Sequence, residues 1–461
     1  MTSGRAHRQR RWLLAGCIAL ALHGPAQAEW SASFPLFKAC TPATRPQLPE
    51  RWRAVGLMLP FLQGQIDVGE FVYDGVLPAM RATVHGLESG TADILITDKD
   101  TYLLNGPHSS PTSCMSLGPK LRPPSPQWLT DNSVCVGEAP LATHAVQWWQ
   151  KPGFDTARYW FSTDHRLPWR TSFITRTLDP AIVGDYSMTF FPTFAALPAT
   201  DLAALRDRCV ATAKPVTAKN VAETPTAREL MAFTNKTAEA ERGKRIGDLI
   251  PGLSHEACSR MTPARWPDHF ITTAMVTPIK INDPPYSTLI YYDWSEARTQ
   301  LILPFHSSPP ALQGIISLKD KVGYRLHFSK SAPNGGLCVP DLPGAVRPDW
   351  MSVDSCECRA VLDRGSPLGS SAESQIMSCP IKLQGQRTMW TWYGTDGTPI
   401  MFMEAQPEGS GVMLADYDDW IPDHTGRPSD FELPAACKAA TNASVPTFAN
   451  ASCSACHTTP Q

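Results

Sequence analysis

GEFVYDGVLPAMR, residues 69–81, and TLIYYDWSEAR, residues 288–298, each end an apolar, aromatic run in a Tyr-Asp pair and close on an Arg. Short runs of β-branched and aromatic residues bounded by Gly, Asp or Pro read as β-strands. Reading outward, Asp74 lies 34 residues after Cys40, and Asp293 lies 35 residues after Cys258. Arg51-Trp52 precedes the first stretch and Arg265-Trp266 the second. Downstream, GDYSMTFFP (184–192) leads to Cys209 and LADYDDWIP (414–422) leads to Cys437, with Asp185 and Asp416 placed 111 and 123 residues after the Tyr-Asp aspartates. Landmarks recurring in one order at near-equal spacing predict a tandem duplication of a unit of domain size.

The strand pattern extends through both copies. FVYDG, ADILITD, TYLLNG, ARYWFSTD and TSFITRT follow one another in the first, and STLIYYD, TQLILPFH, KVGYRLHFS, RTMWTWYGTDG and PIMFMEA in the second. This spacing predicts a mainly β (α+β) chain of two curved antiparallel half-barrel sheets, each with one or a few helices. GTDGTP (394–399) is the clearest hairpin turn, because Asp-Gly readily supplies a positive φ. The expected organisation is a signal peptide over 1–28, a first repeat over 29–210, a linker over 211–255, a second repeat over 256–438 and a tail over 439–461. The linker composition is polar, with a short helix expected between Ala227 and Gly243.

A chain of 461 residues exceeds one ordinary core. With 41 basic against 43 acidic residues it has no charge surplus for nucleic acid, and none is expected as a partner. The N-terminus is basic through Arg11, apolar over WLLAGCIALAL (12–22) and small over HGPAQA (23–28), the pattern of a secretory signal cleaved after Ala28. LLAGC, ending at Cys17, also matches a lipoprotein box, but the apolar stretch continues beyond it and soluble export is preferred. A periplasmic or secreted location follows, with no transmembrane segment after cleavage.

An exported chain uses even groups of cysteines for disulfides. With the signal segment and its Cys17 removed, the groups are Cys40, Cys114, Cys135 and Cys209, then Cys258, Cys338, Cys356, Cys358, Cys379 and Cys437, then Cys453 and Cys456. The Pro-rich loop at 123–126 suggests a staple between Cys114 and Cys135. Cys356 and Cys358 are too close for a normal mutual bridge and are expected to reach Cys338 and Cys379, in either pairing.

These landmarks resemble the ependymin family and the wider group sharing the fold of the bacterial lipoprotein carrier LolA, on Tyr73, Asp74 and Arg81, the long meander and the late Cys. The resemblance covers 40–209 and 258–437 separately. It implies an open curved sheet with a helix on its concave face and an apolar cavity for a lipid or another hydrophobic small molecule. Trp148, Trp149, Tyr159, Trp160, Trp390, Trp392 and Tyr393 are candidates to line such a cavity, although strand aromatics are more often core.

The repeats carry no nucleophile elbow, zinc helix, phosphate loop or dinucleotide fingerprint, so the expected function is non-enzymatic binding. Asp164-His165, Asp268-His269 and Asp423-His424 are sequence neighbours that a strand would point to opposite faces, and they read as turn residues. Asn235, Asn442 and Asn450 stand in glycosylation sequons. The tail adds CSACH: Cys453 and Cys456 at the spacing for two thioether bonds to haem c, with His457 as the iron ligand. A short disulfide or a remnant of a lost cytochrome domain also satisfies that pattern. If haem is bound, the alternative function is a periplasmic c-type electron-transfer protein with the repeats as scaffold and a redox partner.

Overall fold

The computed structural model describes residues 45–60, 65–87, 90–105, 111, 113–119, 121–123, 133–141, 144–151, 157–162, 168–175, 185–215, 245–278, 286–295, 298–305, 311–318, 323–329, 332–342, 346–353, 355–368, 372–381, 387–405 and 412–423. The fold is mainly β and consists of two 12-stranded, predominantly antiparallel sheets. The first contains β1 (Arg51–Pro60), β2 (Asp67–Asp74), β3 (Ala79–Gly86), β4 (Thr91–Thr97), β5 (Thr101–Asn105), β6 (Ser113–Ser116), β7 (Val134–Leu141), β8 (His144–Lys151), β9 (Ala157–Ser162), β10 (Pro168–Thr175), β11 (Asp185–Ala196) and β12 (Lys214–Pro215). The second contains β13 (Leu253–Ser254), β14 (His269–Pro278), β15 (Tyr286–Asp293), β16 (Arg298–Phe305), β17 (Ala311–Leu318), β18 (Gly323–Ser329), β19 (Ala332–Leu342), β20 (Glu357–Leu362), β21 (Ser374–Ile381), β22 (Arg387–Gly394), β23 (Pro399–Ala405) and β24 (Val412–Pro422).

The two sheets have the same wiring. In the first, β1 is central, β2 to β6 step outward on one side, and β11 back to β7 step outward on the other. In the second, β14 takes the centre, β15 to β19 one side, and β24 back to β20 the other. Small additions mark the rims: β12 runs parallel to β6, and β13 antiparallel to β20. Neither sheet closes into a barrel; the outer strands are β12 and β7 in one, β13 and β19 in the other.

Register agrees as well as order. Arg51 pairs with Asp74 and Asp74 with Ala79, as His269 pairs with Asp293 and Asp293 with Arg298. At the far side Leu104 pairs with Cys114, as Leu326 pairs with Cys338. Trp52 opposes Ala196 and Leu57 opposes Phe190, as Phe270 opposes Pro422 and Met275 opposes Asp416. Between those pairs both sheets carry a bulge, which adds local twist. Beside it the rings of Tyr73, Trp52 and Phe194 stack at 5.3 and 5.0 Å, and those of Tyr292, Phe270 and Trp420 lie at 4.7 and 4.5 Å.

This register corrects two landmarks. Trp52 corresponds to Phe270 rather than Trp266, which precedes β14 and meets Phe270, Tyr292 and Trp350 edge-on. Asp416 corresponds to Phe190, not Asp185. Short dipeptides recur by chance, whereas strand pairing fixes position to the residue. GTDGTP does form the hairpin between β22 and β23, with Gly397 at φ +84°.

One apolar core joins the sheets. Val55, Leu57, Leu59, Val68, Trp148, Met188 and Phe190 of the first cluster with Met275, Ala360, Leu362, Ile376, Trp390, Trp392, Met401, Met403 and Leu414 of the second. A helical turn at 245–249 enters this core through Ile246, Leu249 and the following Ile250, so this end of the polar linker sequence is buried. Phe190 meets Trp392 edge-on at 5.8 Å. α1 (Leu202–Thr212) buries Leu202, Leu205 and Cys209, spaced along one helical stripe, against Leu95, Tyr102 and Leu104.

Three disulfides are described: Cys114–Cys209, Cys258–Cys358 and Cys356–Cys379. Cys114 therefore does not staple the Pro-rich loop to Cys135; it ties β6 to α1, which folds back over that edge. Cys358 reaches Cys258, which precedes β14, rather than Cys338 or Cys379. Cys135 is also disulfide-bonded. Cys40, Cys437, Cys453, Cys456 and His457 lie outside the described residues, as do the sequons and the helix expected at 227–243.

Candidate functional site

The face of the first sheet between the shared core and α1 carries a belt of charge. Register places Glu70, Thr83 and Asp93 in one row, Arg81 one step along and His85 with Thr91 one step the other way. Glu70, 5% exposed, accepts hydrogen bonds from Arg53 of β1 and from Arg245, whose Nη2 lies 2.6 Å from Oε2. Arg81 forms a two-pronged pair with Asp93, and Thr83 Oγ1 donates to the same carboxylate at 3.1 Å. His85 Nδ1 lies 3.0 Å from Thr91 Oγ1. Buried carboxylates are tolerable only when paired in this way, since desolvation of a lone charge costs several kcal/mol, on the order of the stability of a domain.

At the end of β2, Asp74 is 2% exposed and accepts from Arg51 Nε (3.0 Å), Thr200 Oγ1 (2.7 Å) and the backbone N–H groups of Val76 and Leu77. Burial pushes its carboxyl up, but the bonds from Thr200, Arg51 and Leu77 and the Arg51 charge together hold it below the usual carboxylate range. Burial and the neighbouring Asp74 charge push the Tyr73 phenol up. The Tyr-Asp motif thus fastens a strand end to the segment leading into α1. Its counterpart Asp293 accepts from Ser295 Oγ at 2.7 Å and lies 3.1 Å from His269 Nδ1.

The same register positions in the second sheet are almost free of charge. Arg53 becomes Ile271, Glu70 becomes Leu289, Thr83 becomes Ile302, and Asp93 becomes Gly314. Arg81 becomes Gln300, His85 becomes Pro304 and Thr91 becomes Leu312. Leu289, Ile302, Gly314 and Leu326 form one continuous cross-strand row. Counting four residues back from each Tyr-Asp aspartate already gives Glu70 against Leu289; the rest needs the strand register.

Of the aromatics proposed to line a cavity, Trp148, Trp390 and Trp392 belong to the core shared by the sheets. Trp149 and Tyr393 pack in clusters on the opposite faces. The side chains of Tyr159 and Trp160 lie outside the described set. Asp268 pairs with Arg265 and His269 with the strand opposite, so these neighbours do not act together. Asp423 has φ 58°, a turn conformation. Asp164, His165 and His424 are outside the described residues.

A separate cleft of about 500 Å³ is lined by His255, Cys258, Met261, Cys356, Cys358 and Met377, among others. Its cysteines are all in disulfides and its methionines are thioethers, so they supply no thiol nucleophile. Among the described residues, no three or more of His, Cys, Asp and Glu gather to hold a metal, and no helix is long and apolar enough to cross a membrane.

No family model matches the chain, and no curated protein does. Among solved structures, it is similar to an uncharacterized conserved protein from Thermus thermophilus, at 14% identity over 37% of this chain and 92% of that one, with a TM-score of 0.25. It is also similar to the MucA/MucB complex of Pseudomonas aeruginosa, at 10% identity over 81% and 94%, with a TM-score of 0.21. A DUF1329 family protein from Desulfovibrio piger matches at 12% identity over 39% and 95%, with a TM-score of 0.15.

Proposed function

We propose that the chain is an exported, non-enzymatic binding protein made of two copies of one open-sheet unit of the lipoprotein-carrier and ependymin type, and that the second copy takes an apolar ligand such as a lipid acyl chain. The observation that carries this reading is the replacement, position for position, of the belt of Arg53, Glu70, Arg81 and Asp93 by Ile271, Leu289, Gln300 and Gly314. In the first copy this row carries the ion pairs of Glu70 with Arg53 and Arg245 and of Arg81 with Asp93, which suits it to a scaffold role. In the second the same register positions, apart from Gln300, are apolar in sequence, with glycine at 314, a composition that suits an extended hydrocarbon. Disulfides support an oxidising compartment outside the cytosol. The tail motif at Cys453, Cys456 and His457 is proposed as a covalent haem c anchor on the same exported chain.

The test is solvent extraction of the purified exported protein followed by mass spectrometry of the extract. Wild type should yield stoichiometric lipid, and Gly314→Trp should remove it while leaving the circular dichroism spectrum and melting cooperativity intact. An extract from wild type containing no apolar compound overturns the ligand reading.

A further inference from the structure

The shared register allows the cysteines of one sheet to be laid on those of the other. Cys114 in β6 corresponds to Cys338 in β19, because each faces the equivalent leucine, Leu104 or Leu326. Cys135 in β7 corresponds to Cys358 at the start of β20: each is followed by a bulge, and each Sγ approaches the carbonyl oxygen two residues on, of Gly137 or Ala360. Cys40 stands 11 residues before β1 and Cys258 stands 11 before β14. Cys209 follows β11 by 13 residues and Cys437 follows β24 by 15.

Each copy displays one of the two equivalent bridges. The first shows the strand-to-helix bridge, Cys114–Cys209; the second shows the leader-to-strand bridge, Cys258–Cys358. Cys135 is oxidised too, and Cys114, Cys209, Cys258, Cys356, Cys358 and Cys379 are already taken. We infer that Cys40 bonds Cys135 and Cys338 bonds Cys437, so that Cys453 and Cys456 bond no other cysteine of the repeats and are the two sulfurs left for covalent modification. The inference rests on reading the sheets as copies of one unit. Among the described bridges, Cys356–Cys379 is particular to the second copy; the position matching Cys356 in the first is Ser133.

The consequence is chemical. Attachment of haem to CSACH needs two thiols, each adding across a vinyl group: the S–H bond breaks, an S–C bond forms, and the proton goes to the other vinyl carbon, with no net oxidation. Closure of the ten cysteines between Cys40 and Cys437 into five bridges keeps Cys453 and Cys456 from being drawn into structural disulfides of the repeats during oxidative folding.

The experiment is non-reducing proteolysis and peptide mass spectrometry of the full chain, exported by a strain lacking haem attachment. The expected map has Cys40–Cys135, Cys338–Cys437 and the three described bridges, with Cys453 and Cys456 alkylated or joined to each other. Cys338→Ser should release one alkylatable thiol, at Cys437, whether or not that variant melts lower. A peptide joining Cys453 or Cys456 to any of the ten others overturns the inference. So does a Cys338 or Cys437 bridged elsewhere, an outcome that leaves the strand register standing; loss of Cys114–Cys209 or Cys258–Cys358 breaks the register reading itself.

Discussion

Arg170 of β10 and Asp416 of β24, 246 residues apart in sequence, meet through two parallel hydrogen bonds of 2.8 Å, Nη1 to Oδ2 and Nη2 to Oδ1. Arg170 is 3% exposed, and its guanidinium also stands 4.8 Å over the ring of Phe190. This fork joins the two sheets beside the apolar core they share. Register gives its apolar alternative, since the position matching Arg170 is Met401 and the one matching Asp416 is Phe190.

Truncating one partner of this pair should therefore be costly. Asp416→Ala leaves a guanidinium in the core and should lower stability by about 3–5 kcal/mol. Arg170→Met combined with Asp416→Leu should restore most of that loss, because it converts the contact to the chemistry already present around it. Urea unfolding of the three proteins at pH 7 measures the difference; a double variant as unstable as Asp416→Ala would show that the pair itself, not its burial, holds the sheets.

The central strands differ at one tight position. A Cβ on Gly56 would stand 2.7 Å from Thr189 Cγ2 and 3.2 Å from the Phe71 ring, whereas its register counterpart is Ala274, fully buried and accommodated. Gly56→Ala should cost about 1–3 kcal/mol by overpacking, with Thr189 the group that must yield. Thermal unfolding should show the melting temperature restored in part by Thr189→Ser, which removes the methyl group in the way.

Asp74 gives the molecule an acid-sensitive latch. Its folded carboxyl sits below its ordinary value, so its stabilising contribution is fully present above the unfolded pKa and is lost as pH falls through the lower folded value. Asp74→Asn should destabilise at pH 7, and the gap to wild type should narrow steadily below about pH 4, where the unfolded carboxyl begins to protonate. Denaturant midpoints measured from pH 7 to pH 2 check this. A gap that stays constant through the acid range removes ionisation of Asp74 as the cause.

The strands and their turns were legible in the sequence because alternating apolar runs and punctuation are local signals. The Tyr-Asp stretches fell at equivalent positions since they sit at a strand end where an Asp takes several bonds at once. Arg265-Trp266 misled because it belongs to the segment before β14, and Asp185 because bulges and loop lengths intervene between similar dipeptides. Cys114 and Cys135 are neighbours in sequence but go to β6 and β7, which lie at opposite sides of the first sheet. The belt was invisible for a related reason. Arg81 and Asp93 are 12 residues apart and Arg245 and Glu70 are 175 apart, so no motif contains them.

The two faces should respond oppositely to exchange of their residues. Glu70→Leu removes the shared acceptor of Arg53 and Arg245, whose side chains are 46% and 37% exposed and can turn toward water. The loss should therefore be about 1–3 kcal/mol, below that of a fully enclosed pair. Leu289→Glu puts a carboxylate at the position matching Glu70, where Ile271 stands in place of Arg53. Under the proposed function it should abolish recovery of apolar ligand, whereas Glu70→Leu should leave that recovery unchanged. Parallel unfolding and extraction of the two variants checks both halves. Equal loss of ligand in both would place the site in the shared core instead of the second face.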